Sequence, residues 1–183
     1  MKIPAHAKKV FQGQIFSVYQ WEQELYDGTK ATFEALKRPG TIQIIATQGD
    51  QILLSHEEQP TKSLSYSFLG GRMEENEDPL ETAKRELIEE SGLESDDWEL
   101  IKTYHVEGKI SWPIYLYVAR NCKKVAEPHL DAGEKIEVVS VSFDKFLEIV
   151  SSEDFWGQNI ANDIMRMRLD KEKLEEFKRK LFA

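Results

Sequence analysis

Glu86, Glu89 and Glu90 stand three, one and four residues apart, so a helix through them places all three carboxylates on one arc of its surface. Like charges at that spacing repel by roughly a few tenths of a kcal/mol per pair. Two readings follow: a solvated acidic face, or the seat of a cation that reverses the sign of the interaction. A hard divalent ion such as Mg²⁺ takes oxygen ligands, keeps several waters and bridges carboxylates to phosphates. Arg85 lies one turn before Glu89 and is placed to orient a carboxylate by a charge-assisted hydrogen bond. The cluster is part of a longer acidic stretch. Gly71 to Asp97 carries eleven acids against three bases, and therefore almost all of the chain's net charge of −9.

The flanking residues define the element that positions this chemistry. Asp78 is a capping residue, Pro79 suits the first helical position, and Glu81 completes a capping-box spacing. Gly92 followed by Leu93 reads as a left-handed stop, so the spacing predicts a helix over 79–91. Leu80, Ala83, Leu87 and Ile88 share the arc that should face a core. Upstream, β-forming runs at 14–26 and 32–36 flank the turn Asp27-Gly28. A second hairpin joins 42–47 to 51–55 through Gln48-Gly49-Asp50, and 64–69 runs into Gly70-Gly71. Downstream, 98–105, 114–119 and 136–143 read as strands and 144–150 as a helix. The stretch 160–182 reads as one amphipathic helix whose stripe is Ile160, Ile164, Met167, Leu174, Phe177 and Leu181. The fold class is therefore mixed α/β or α+β.

A length of 183 residues suits one domain with a real core. Phosphate backbones need basic patches, so the acidic balance excludes generic nucleic-acid binding. No apolar run reaches 18 residues, which argues against a membrane span, and Met-Lys-Ile-Pro-Ala-His lacks the apolar centre of a secretory signal. With Cys122 alone there is no internal disulfide, and a reducing cytoplasm is the expected location. His56, His105 and His129 share no ligand spacing and read as packing or surface residues.

Gly71, five residues, Glu77, seven residues, then Arg85-Glu86-Leu87-Ile88-Glu89-Glu90-Ser91-Gly92-Leu93 resembles the Nudix box at each of its defining positions. The resemblance implies an α/β/α sandwich with a mixed central sheet, in which the box (71–93) forms a loop–helix–loop. It also implies Mg²⁺- or Mn²⁺-dependent hydrolysis of a nucleoside diphosphate linked to another moiety. Carried over by position, Glu86 and Glu90 match the main metal ligands, and Glu89 matches a position that supports metals or acts as base. Glu77 pairs with Arg85 or reaches a metal through water, and Gly70 offers a backbone carbonyl as ligand.

Beyond the box, the segment Phe11–Leu36 and Glu58-Gln59 resemble the ADP-ribose and nucleotide-sugar pyrophosphatase branch. That implies an N-terminal β-hairpin extension over 1–38, a possible dimer element, ahead of a hydrolase domain over 39–183, and a homodimer. Trp21, Phe33 and Trp112 are the residues expected to stack on a base, although ordinary packing aromatics would read the same way. A loop acid beyond the box is also expected, Glu134 first and Glu137 second. Two departures bear on the substrate. Ser67-Phe68-Leu69-Gly70-Gly71 stands where many members have Glu-Leu-Pro-Ala-Gly, and Gln59-Pro60-Thr61 where they have Gln-Tyr-Arg. Lys62 and Arg38 are the cations left to neutralise phosphate. The expected reaction releases a nucleoside monophosphate and a sugar phosphate. The alternatives are damaged nucleoside triphosphates or dinucleoside polyphosphates as substrates, or a nucleotide-sensing module without turnover.

Overall fold

The computed structural model describes residues 2–130 and 132–183. The chain opens with β1 (Lys8–Gln12), β2 (Ser17–Glu24) and β3 (Lys30–Lys37), an antiparallel meander whose second turn is the expected Asp27-Gly28. All five residues of β1 are exposed.

β4 (Thr41–Gln48), β5 (Gln51–Gln59) and β6 (Lys62–Ser67) follow, and then α1 (Pro79–Ser91), the predicted acidic helix. β7 (Leu93–Glu94), β8 (Asp97–His105), β9 (Ile110–Ser111), β10 (Pro113–Arg120), β11 (Lys123–Lys124) and β12 (Lys135–Val141) come next. The chain ends with α2 (Phe143–Val150), β13 (Phe155–Trp156), α3 (Gln158–Met167) and α4 (Lys171–Phe182). The central sheet runs β13-β6-β5-β4-β10-β8, with β12 along β5, and it mixes parallel pairs (β4 with β10, β6 with β13) with antiparallel ones. β9 adds to β3 in parallel and extends the N-terminal sheet.

Alternate residues of the strands feed two cores. Ile45, Ile52, Leu54, Leu116 and Val118 face α2, α3 and α4, while Ile42, Ile44, Leu53 and Tyr117 face α1 through Ala83 and Leu87. Helices on both faces of a mixed sheet make the α/β/α sandwich that the box implied.

β4 and β5 separate soon after their hairpin, the last pair being Ala46 with Leu53. The segment ahead of α1 occupies the edge of β4 that this leaves: Ile44 N–H donates to the Leu69 carbonyl and Ile42 N–H to the Gly71 carbonyl, both at 2.8 Å. The opening of the sheet thus brings the start of the box into contact with its centre.

The predicted helix over 160–182 is two helices. The chain turns at Leu169, which is 90% exposed, and Asp170 caps α4 by accepting from Lys173 N–H at 3.3 Å. An unbroken helix would carry Leu181 about 30 Å from Ile160. The break lets both halves of the stripe enter the same core, where Ile160, Ile164, Phe177 and Leu181 are all buried. Arg120 fixes the end of α4 by donating from Nε to the Lys180 carbonyl at 2.6 Å, a favourable place for a cation.

Candidate active site on the acidic helix

The sequence signals that delimit α1 act as read. Asp78 Oδ1 accepts from Leu80 N–H at 2.9 Å and Glu81 N–H at 3.3 Å, and Gly92 ends the helix with φ 67°. Two details differ. Glu81 pairs with Lys84 instead of reaching back to close a capping box, and Ile88 is 38% exposed on the helix flank. Thr82 and Ser91 are buried in its place, so the buried arc is turned toward the site.

Arg85 organises one half of the carboxylates. Its Nε and Nη2 donate to the two oxygens of Glu77 at 3.0 and 3.2 Å, and Nη1 donates to Glu89 at 2.8 Å and lies 3.0 Å from Glu86. The hydrogen bonds from Arg85 hold the Glu77 carboxyl down at about 2, and Glu77 in turn raises the guanidinium above its ordinary value. Glu77 therefore fills the arginine-pairing role of the two expected for it.

Glu86 and Glu90 form the other half, and both resist ionisation. Burial pushes Glu86 up to about 7; Arg85 opposes the shift, while the charges of Glu89 and Glu134 add to it. Glu90 is buried and stands well above the ordinary carboxylate range, for the same first reason and because of Glu86, Glu57 and Glu134. Its Oε2 accepts from Gly70 N–H at 2.6 Å. Gly70 thus meets Glu90 through its N–H. Gly70 is sterically required, and Gly71 leaves the room that the Glu86 carboxylate occupies. A Cβ on Gly70 (φ 125°) would lie 2.4 Å from the Ile42 carbonyl oxygen, and one on Gly71 would lie 2.6 Å from Glu86 Oε2.

The structure divides the remaining expected residues. Glu134, partly buried, acts electrostatically on both Glu86 and Glu90 and so belongs to this cluster. Glu137 pairs across from His56, on the alternate face of β5 from Leu53, Ser55 and Glu57, and lies exposed away from the α1 carboxylates. Arg38 sits 4.1 Å from the Trp112 ring centroid and 5.8 Å from that of Phe16, and its Nη2 donates to Thr41 Oγ1. Trp112 Nε1 donates to the same hydroxyl at 2.9 Å. Arg38 Nε is buried with no hydrogen-bond partner. Burial, and then the like charge of Arg72, pull the Arg38 guanidinium below its ordinary value. Trp21 is buried in the N-terminal sheet, tilted against Phe33 with its Nε1 bonded to Gln23, so its ring is a packing element. Phe33 is partly buried, with Lys109 Nζ 5.0 Å from its centroid. Lys62 is ion-paired to Glu57.

Two site residues escaped the sequence reading. Glu57, buried on β5, is close enough to Glu90 to raise it, and only its position in a strand that alternates toward α1 could have marked it. Arg72 lies inside the box at a position the motif leaves open.

Among the described residues no three His, Cys, Asp or Glu side chains already converge as a coordination cluster. The reason is visible in the ion pairs: Arg85 draws Glu86 and Glu89, while Glu90 is turned to Gly70. The donor set nonetheless fits a hard cation. Its members are all oxygens, Glu90 is buried and Glu86 partly so, desolvation raises both carboxyls, and a glycine leaves room against one of them.

The model of the NUDIX domain family matches residues 36–159, which includes this whole cluster. The chain belongs to the Nudix family. By class it is a hydrolase of phosphoric anhydrides. It is 26% identical over 166 residues to an ADP-ribose pyrophosphatase of Bacillus subtilis (strain 168), covering 88% of this chain and 90% of that one. It is 24% identical over 166 residues, with the same coverage, to a methanol dehydrogenase activator of Bacillus methanolicus. Among solved structures, an ADP compounds hydrolase shares the fold with a TM-score of 0.71 and 21% identity, over 93% of this chain and 95% of that one. No helix among the described residues is long and apolar enough to cross a membrane.

Proposed function

We propose that this Nudix chain is a divalent-metal-dependent pyrophosphatase that cleaves an ADP-ribose-like compound or another nucleoside diphosphate sugar into a nucleoside monophosphate and a sugar phosphate. The observation that carries the reading is the pair of box carboxylates, Glu86 partly buried and Glu90 buried, seated against Gly71 and Gly70 with Glu134 acting on both. The Bacillus subtilis relative, an ADP-ribose pyrophosphatase by name, supports the choice of substrate class.

Glu86 and Glu90 would hold Mg²⁺ or Mn²⁺, with Glu134 as a further oxygen donor. Such an ion would neutralise charge on the diphosphate and lower the pKa of a bound water. Arg85 keeps Glu86 and Glu89 in place. Arg38 and Arg72 form a cationic flank for the diphosphate. Glu134 takes the proton from water as its oxygen attacks phosphorus; the bridging P–O bond breaks and the second phosphate leaves. Glu89 is the other base the cluster offers. The intact set of box carboxylates favours turnover over a silent nucleotide sensor.

Two copies pair through the N-terminal sheet in this reading, since β1 and the following turn leave Val10, Phe11 and Phe16 exposed together.

Product analysis with Mg²⁺ on ADP-ribose, other nucleotide sugars, dinucleoside polyphosphates and nucleoside triphosphates tests the proposal, with Glu90→Gln beside it. Release of a nucleoside monophosphate from a sugar nucleotide, lost in the variant, is expected. Equal turnover in Glu90→Gln would overturn the metal assignment.

A further inference from the structure

Trp112, which the sequence offers as a ring for stacking on a base, lies against an arginine. It stands between β9 and β10, and Arg38 stands between β3 and β4. The parallel pairing of β9 with β3 brings the two together. Leu36 N–H donates to the Lys109 carbonyl at 2.9 Å, and Arg38 N–H to the Ser111 carbonyl at 3.2 Å. The Arg38 guanidinium carbon then lies over the indole, 4.1 Å from its centroid. A second restraint acts at the edge of the same group. Thr41 Oγ1 accepts from Arg38 Nη2 at 3.3 Å and from Trp112 Nε1 at 2.9 Å, so one hydroxyl ties the arginine to the ring that carries it. The backbone bonds already join the two strands; the indole and the hydroxyl act on the guanidinium itself.

This assembly adjoins the acidic cluster. Thr41 bridges to Arg72 across the edge of β4, Ile42 N–H donates to the Gly71 carbonyl, and Gly71 lies against the Glu86 carboxylate. Arg72 is exposed, and near enough for its charge to act on Arg38. Two cations held side by side suit an anion that carries more than one charge. A free arginine side chain must give up rotamer freedom when it grips a phosphate, whereas a stacked and hydrogen-bonded one has already done so.

We propose that Trp112 is a positioning residue for the diphosphate: its ring and, through Thr41, its N–H hold the Arg38 guanidinium ready for a phosphate beside Arg72. The inference rests on the pyrophosphatase reading and deepens it, giving Trp112 an arginine to aim instead of a base to stack.

The test is a double-mutant cycle on Trp112→Ala and Arg38→Met with ADP-ribose, read by steady-state kinetics with Mg²⁺ and by calorimetric Kd in EDTA. Alone, Trp112→Ala should raise KM and Kd by about tenfold, with a smaller effect on kcat. In the Arg38→Met background the same change should cost less than about twofold, since no guanidinium remains to be placed. An equal loss in both backgrounds means that the ring touches the ligand directly, and it overturns the assignment. A fall in kcat with KM and Kd unmoved overturns it as well. Trp112→Phe keeps a ring beneath the guanidinium and should recover most of the affinity; a loss as large as that in Trp112→Ala counts against the proposal. Should the wild-type chain bind ADP-ribose without cleaving it, the pyrophosphatase reading fails by itself, and the cycle on Kd decides the positioning role. Binding in neither EDTA nor Mg²⁺ overturns both.

Discussion

Each carboxylate of the cluster has a separable job, and amide or alanine substitutions read those jobs out one at a time. In Glu90→Gln the amide oxygen still accepts from Gly70 N–H, but the group can no longer ionise. Turnover should fall by roughly 100-fold or more. In EDTA, however, the melting temperature should hold or rise, because the neutral amide carries neither the desolvation cost of an ionised buried carboxylate nor the repulsion it would meet from Glu86, Glu57 and Glu134. Gly71→Ala makes the complementary point. Its Cβ pushes Glu86 aside, a movement the flexible side chain accommodates, so the fold should survive while kcat drops by about 100-fold. The raised Glu86 carboxyl also predicts a pH dependence for the metal-free chain. Unfolded, the group titrates near 4.5 and folded near 7, so the native state keeps a proton that the unfolded state has lost. This contribution is fully present below about 4.5 and is lost as pH rises through about 7. Melts in EDTA should therefore be lower at pH 8 than at pH 5, and added Mg²⁺ should recover most at pH 8; a higher melting point at pH 8 in EDTA would contradict the assignment. These carboxylates were legible in the sequence because their spacing along one helix is itself the signal. Glu57 and Arg72 were not, since each acquires meaning only from a strand or loop remote in sequence.

At the scale of elements, local chemistry was read correctly and tertiary choices were not. Both ends of α1 depend on residues within one turn, which is why Asp78 and Gly92 marked them. Asp78→Ala should cost about 1 kcal/mol of stability, measured by urea denaturation, with the site otherwise intact. The stripe over 160–182 keeps a helical phase across Arg168–Asp170, so periodicity alone could not expose the break; Asp170 as a cap was the available sign. Ile88 shows the same limit. A helical wheel defines an arc, but the sheet decides how far that arc is rotated, and here it favoured Thr82 and Ser91.

For the whole molecule, the exposed apolar residues of the N-terminal sheet predict association. Sedimentation should give about twice the 21.2 kDa chain mass, and Phe11→Asp, at a residue 58% exposed, should return the monomer without lowering the melting temperature. The sandwich itself was legible from the order of its elements and the box. The divergence of β4 from β5 was not, because it depends on a non-strand segment, Leu69–Gly71, supplying the backbone partners for Ile42 and Ile44. That arrangement has a consequence for genetics. The same few residues lead into the site and cover a sheet edge, and an uncovered edge invites pairing with other chains. Short deletions before α1 should deplete the protein from the cell through aggregation and proteolysis, whereas point changes at Glu86 or Glu90 should leave its abundance intact. A growth phenotype would score the two alike, and only an immunoblot beside it would tell a missing protein from an idle one.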